Sequence, residues 1–67
     1  MTINGRAVLG YRRRTISYAD VALIAGQVEP TVTYLFRGTG ANGSLLPGDR
    51  VAVAPDLVLN AFATVSA

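Results

Sequence analysis

Apolar and polar positions along the chain change period twice, and the changes mark out its elements. Thr2 and Ile3 form a short strand-like start that meets Asn4-Gly5, a pair that accepts left-handed backbone and suits a tight type I′ hairpin. Ala7, Val8 and Leu9 then read as the return strand, bent or bulged at Gly10. Further on, Val21, Ile24, Ala25 and Val28 keep helical spacing. Ser17 stands where an N-cap belongs, Asp20 follows as the short form of a capping box, and Gly26 suits the C-terminal cap. The helix is therefore expected from about Tyr18 to Ala25. Pro30 stops any continuation, because the residue before a proline avoids the helical region.

After the helix the period falls to that of a strand. Val32, Tyr34 and Phe36 alternate with Thr31, Thr33, Leu35 and Arg37, so the two sets take opposite faces. Residues 38–43 hold Gly, Thr, Ala and Asn with no core hydrophobe, and read as a loop or a wide hairpin tip. Leu45 and Leu46 are expected to re-enter the core before a Pro47-Gly48-Asp49 turn. A short strand over residues 51–53 is then broken at Pro55-Asp56, and Leu57–Phe62 is the last strand. The order is ββαβββ. One helix cannot cover both faces of a sheet, so the expected architecture is α+β, a mixed sheet wrapped over a single helix with its first and last strands adjacent. That is the β-grasp plan, with the domain in residues 1–63 and a short tail in residues 64–67.

Composition narrows the chemistry. A chain of 67 residues buries only about 60% of its unfolded surface, so its 51% hydrophobic content is needed for a core and argues against disorder. Cys and His are absent, which removes disulfides, thiolate metal sites, the commonest general base and the commonest metal ligand. Asp20, Glu29, Asp49 and Asp56 stand singly at turn and cap positions. No enzyme, metal or cofactor is expected from this inventory. All six basic residues are Arg, against a net charge of only +2. Without lysine, the sole amine that could accept a covalent partner is that of Met1. The longest apolar run spans only residues 21–25, far short of a secretory core or a spanning helix, so a cytoplasmic protein without a membrane partner is expected.

Several phrases, in order, carry a resemblance. They are Asn4-Gly5-Arg6, Ile16-Ser17-Tyr18-Ala19-Asp20-Val21, Ala25-Gly26, Thr31-Val32-Thr33-Tyr34, Gly43-Ser44-Leu45-Leu46-Pro47-Gly48 and Leu57-Val58-Leu59-Asn60-Ala61. Taken together they resemble the ubiquitin-like proteins of bacterial conjugation operons, including the multiubiquitin type. The resemblance implies a β-grasp protein modifier, activated at its C-terminal carboxylate by an adenylating enzyme and passed to a carrier enzyme, in operons tied to antiviral defence. A processing peptidase is a further implied partner. One departure is plain: the chain ends Val65-Ser66-Ala67 rather than in paired glycines, which would thread a narrow site more freely.

Three places compete as sites. On the modifier reading, Val65, Ser66 and Ala67 are the conjugation tail; the competing reading is an ordinary chain end. An apolar sheet face containing Leu35, Leu57 and Leu59 is a candidate partner-binding surface, the other reading being that these side chains fill the core. Arg12, Arg13 and Arg14 could contact nucleic acid, but three arginines at net charge +2 form a weak footprint, and a solvated connection is the expected role. Residues 38–43 lack the ending and the strand-to-helix context of a phosphate loop. A self-assembling β-grasp protein that makes homo-oligomers without conjugation is the alternative function, with a small DNA-binding domain behind it.

Overall fold

The computed structural model describes residues 1–64. It is an α+β structure whose elements run β1 (Thr2–Ile3), β2 (Arg6–Ala7), β3 (Thr15–Ser17), α1 (Tyr18–Ala25), β4 (Thr31–Phe36), β5 (Asn42–Leu45), β6 (Arg50–Ala52) and β7 (Leu57–Phe62). A mixed five-stranded sheet has the order β2-β1-β7-β4-β5, and β3 pairs with β6 in a separate ribbon. The first and last strands are adjacent and parallel, Thr2 opposite Val58 and Ile3 opposite Leu59. A single helix lies against the inner face of this sheet, an arrangement compatible with the β-grasp plan.

The helix forms where its local chemistry says. Ser17 Oγ accepts the Asp20 amide at 3.1 Å, and Asp20 Oδ2 accepts the Ser17 amide at 3.2 Å, closing the capping box. Gly26 turns left-handed at φ 67° and returns its amide to the last carbonyls. That reversal also explains a difference from the expected apolar stripe. Val21 is buried and Ala25 packs against the core, but Val28 lies beyond the turn and is 93% exposed, and Ile24 is nearly half exposed.

The strands depart from expectation at four places: the return strand is Arg6–Ala7 rather than residues 7–9, because the chain leaves the ladder after the Val8 amide bonds Met1, and three others follow. Residues 15–17 form β3 through pairing with β6, a long-range contact that a three-residue segment cannot announce. The expected strand near residues 51–53 consequently sits outside the main sheet. Asn42 and Gly43 belong to β5 although neither favours strands, because β4 supplies their partners: Tyr34 opposes Gly43, and a Cβ there would stand 3.0 Å from the Tyr34 hydroxyl. Finally, Leu45 is buried but Leu46, the next residue, is exposed. Successive side chains of extended backbone point opposite ways, so the two leucines cannot both enter the core.

The buried core is Ile3, Ile16, Val21, Val32, Leu45, Leu57, Leu59 and Ala61. Strand β7 contributes the last three and lies in the middle of the sheet. Its pairing with the two-residue β1 is extended by a side chain. Asn4, at φ 53° with Gly5 at φ 78°, makes the type I′ turn. Its Oδ1 accepts the Ala61 amide at 2.8 Å while its Nδ2 donates to the Ala61 carbonyl at 3.0 Å. Asn4→Gly keeps the left-handed backbone but loses both bonds, and should cost about 2 kcal/mol. Asn4→Ala adds left-handed strain and should cost about 3 kcal/mol. Urea denaturation of the two variants checks both the sum and the order.

Candidate functional site

Register assigns every side chain of the central strands to a face. Leu35 is opposite Val58, Thr33 opposite Asn60 and Thr31 opposite Phe62, so these six share the face turned away from the helix. Leu57 and Leu59 lie on the other face and are 1% and 0% exposed. The expected partner face of Leu35, Leu57 and Leu59 therefore does not exist as one surface. Alternation along β7 separates them: Leu57 and Leu59 are core beneath α1, and only Leu35 faces out. The outward apolar strip is instead the Leu35–Val58 pair with Phe62, set among threonines and Asn60. Val58 and Phe62 were visible in the sequence as one alternating set with Asn60, whose polar side chain is the one local sign that this set faces away from the helix.

The remaining candidates fall apart in space. Val65, Ser66 and Ala67 lie outside the described residues. Just before them, the Thr64 hydroxyl is 2.9 Å from that of Thr31 and donates to the Glu29 carbonyl, which ties the end of the described chain to the start of β4. Met1 packs against the core and its carbonyl accepts the Val8 amide. Residues 38–43 are a turn and the start of β5, held by the Asp56 carboxylate, which accepts the Gly38 amide at 2.9 Å.

Arg12, Arg13 and Arg14 are exposed in the connection leading to β3, whose Ser17 is opposite Arg50 on β6. Tyr11 precedes them, and its hydroxyl lies 2.7 Å from the Thr15 carbonyl and 3.3 Å from Asp20 Oδ2. Burial, then the charge and hydrogen bond of Asp20, push the Tyr11 phenol above its ordinary value, with Arg13 and Arg50 opposing. Asp20 moves the other way. The Ser17 amide and hydroxyl hold its carboxylate below the ordinary range, aided by Tyr11 and Arg13 and opposed by burial. The acid, the phenol and the cap form one structural unit, and they do not converge on a cavity.

Two depressions stand out on the described surface. The larger, about 670 Å³ and open, lies between the N-terminal hairpin and the second half of α1 and is lined in part by Ile3, Arg6, Val8, Leu9 and Ile24. The smaller, about 190 Å³, includes Tyr18, Pro30, Leu46 and Thr64. No group of three or more His, Cys, Asp or Glu side chains that could hold a metal occurs among the described residues, and no helix there is long and apolar enough to cross a membrane. No protein-family model, no curated protein and no solved structure matches the chain.

Two measurements test this assignment of faces and charges. Leu59→Ala should destabilise the fold by about 3 kcal/mol, whereas Leu35→Ala should change it by no more than about 0.5 kcal/mol. For Asp20 the fold favours the charged form, so its contribution is present above the unfolded carboxylate value of about 3.9 and is lost as pH falls through the lower folded value. The stability advantage of the natural chain over Asp20→Asn should be steady near neutrality and shrink in acid. Thermal melts across pH 2 to 7, roughly the range over which carboxylates titrate, follow it.

Proposed function

We propose that this chain is a bacterial ubiquitin-like protein modifier with a β-grasp fold, activated at its C-terminal end by an adenylating enzyme, transferred to a carrier enzyme and conjugated to proteins, in antiviral defence. The observation that supports this reading most is the parallel β1–β7 pair at the heart of a mixed sheet laid over one helix. That pairing, with β4 on the other side, places the last strand centrally, and the modifier reading takes the residues that follow it in sequence as the segment an activating enzyme would engage. Val65, Ser66 and Ala67 are then the tail, with or without prior trimming by a peptidase. Leu35, Val58 and Phe62 on the outward face replace the earlier partner surface. With no lysine in the chain, Met1 is the one amine through which copies could be joined.

The exposed apolar side chains Leu9, Leu23 and Val28 favour a second reading, self-assembly without conjugation. Incubation with ATP and an adenylating enzyme from the same operon separates the two. The modifier reading expects pyrophosphate exchange and a covalent adduct visible in the intact mass. It fails if neither appears with the full chain or with chains trimmed within the tail. Self-assembly expects a mass that rises with concentration in the absence of any enzyme.

A further inference from the structure

The chain holds two Asn-Gly pairs, Asn4-Gly5 and Asn42-Gly43, and the fold treats them differently. Such a pair carries its own chemistry. The backbone nitrogen of the glycine can close on the asparagine side-chain carbon, because glycine has no side chain to bar the approach. Reaction needs that nitrogen free and the carboxamide able to swing back over it.

At residues 42 and 43 the nitrogen is engaged. The Phe36 amide bonds the Ala41 carbonyl, and hydrogen-bonded pairs alternate along an antiparallel ladder, so Gly43 exchanges backbone bonds with Tyr34. Tyr34 packs closely over Gly43, and Asn42 Nδ2 donates to the Gly40 carbonyl at 2.9 Å. Attack there requires β5 to leave β4. At residues 4 and 5 the nitrogen is open. The Gly5 amide has no hydrogen-bond partner among the described residues, Gly5 is exposed, and nothing lies within 4 Å of where a Cβ would stand. The restraint sits on the other group, since Asn4 Oδ1 and Nδ2 are both held by the Ala61 peptide unit. Freeing that carboxamide requires only that the hairpin lift from β7, and β1 is two residues long. Short peripheral elements open at the low end of a fold's free-energy range.

We propose that Asn4 is a deamidation site gated by that opening, and that its conversion detaches the hairpin irreversibly. In the open hairpin the Gly5 nitrogen loses its proton to hydroxide and attacks Asn4 Cγ. The side-chain nitrogen leaves as ammonia, taking a proton from water, and a cyclic imide remains. Water then opens the ring at one carbonyl or the other, giving aspartate or isoaspartate, so one water is consumed for each ammonia released. Neither product restores the junction. Aspartate lacks the Nδ2 donor and sets a carboxylate against the Ala61 carbonyl. Isoaspartate adds a carbon to the main chain, which breaks the pairing of Ile3 with Arg6 across the turn. Each conversion thus favours the open hairpin, and β7 loses its β1 neighbour. Nothing in this assignment requires an activated tail, so it stands whether or not the chain is conjugated.

The test ages the whole chain near neutral pH in water enriched in heavy oxygen. Cleavage after arginine then separates residues 1–6 from residues 38–50, so mass spectrometry reads the two pairs apart. In the folded chain Asn4 should convert with uptake of heavy oxygen. Asn42 should lag at least about tenfold behind it, since several ladder bonds must break first. In urea both should convert at similar rates, faster than Asn4 does in the folded chain. Ile3→Val, which removes a methyl group beside Leu59, should speed Asn4 about two- to tenfold and leave Asn42 unchanged, with circular dichroism confirming that the variant folds. The converted chain, separated by its added negative charge, should melt below the fresh one. The proposal is overturned if Asn42 keeps pace with Asn4 in the folded chain or if neither converts there. It is also overturned if unfolding does not speed Asn4, if Ile3→Val leaves its rate unchanged, or if the converted and fresh chains melt together.

Discussion

The fold depends on what one asparagine does for a strand that is too short. Strand β1 has two residues, and a parallel pair of that length would leave Ala61 on the central strand without partners on that side. The Asn4 side chain supplies both an acceptor and a donor to Ala61, and the Asn4 backbone amide donates to the Leu59 carbonyl at 2.9 Å. A side-chain amide thus continues the ladder at the point where the main chain turns away. Gln27 Nε2, just past the helix, donates to the same Ala61 carbonyl at 2.9 Å, while its Oε1 is buried without a partner among the described residues. Hairpin, helix end and central strand meet at one peptide unit. Satisfying buried backbone groups is close to obligatory, so this junction constrains all three elements together.

That junction sets the sidedness of β7. With Ile3 opposite Leu59 and facing α1, Leu57, Leu59 and Ala61 must point into the core, and Val58, Asn60 and Phe62 must point out. The strand carries large apolar side chains on both sides, and Asn60 is the one polar side chain that marks the outward set. A shift of one residue would exchange the two sets entirely. The Asn4 bonds hold one of the two registers, and the exposed Asn60 side chain agrees with it.

This explains which features were legible in the sequence. The helix over Tyr18–Ala25 was, because Ser17, Asp20 and Gly26 act on neighbouring backbone. So were the Asn4-Gly5 turn and the alternation in β4, where Val32 is buried and Leu35 exposed as its period requires. What failed depended on distant partners. Strands β3 and β6 exist through each other, and β5 exists because β4 offers it an edge, with Tyr34 packed closely over Gly43. The grouping of Leu35 with Leu57 and Leu59 failed for the same reason, since facing is relative between strands and a single strand's pattern cannot state it. Arg6 stood in the Asn4-Gly5-Arg6 phrase without a role of its own; only the register, which puts it on the face of Ile3, makes it part of a groove.

The distribution of apolar residues bears on function in a further way. In a chain this small, each large apolar side chain left outside the core lowers the already modest fraction of surface removed from water. Yet α1 presents Leu23 and Ile24 to solvent where a two-turn helix on a small domain would ordinarily carry charges, and Leu9 and Val28 flank it. Of these four, Leu9 and Ile24 line the groove between hairpin and helix, whereas the outward sheet face mixes Leu35, Val58 and Phe62 with hydroxyls and Asn60. Stability alone would favour polar residues at both places, since the core is complete without them. The helix side holds the larger apolar excess, the larger groove and an unpaired sheet edge. The apolar side chains left in water therefore fall on two faces that the sheet keeps apart, and covering one would leave the other exposed.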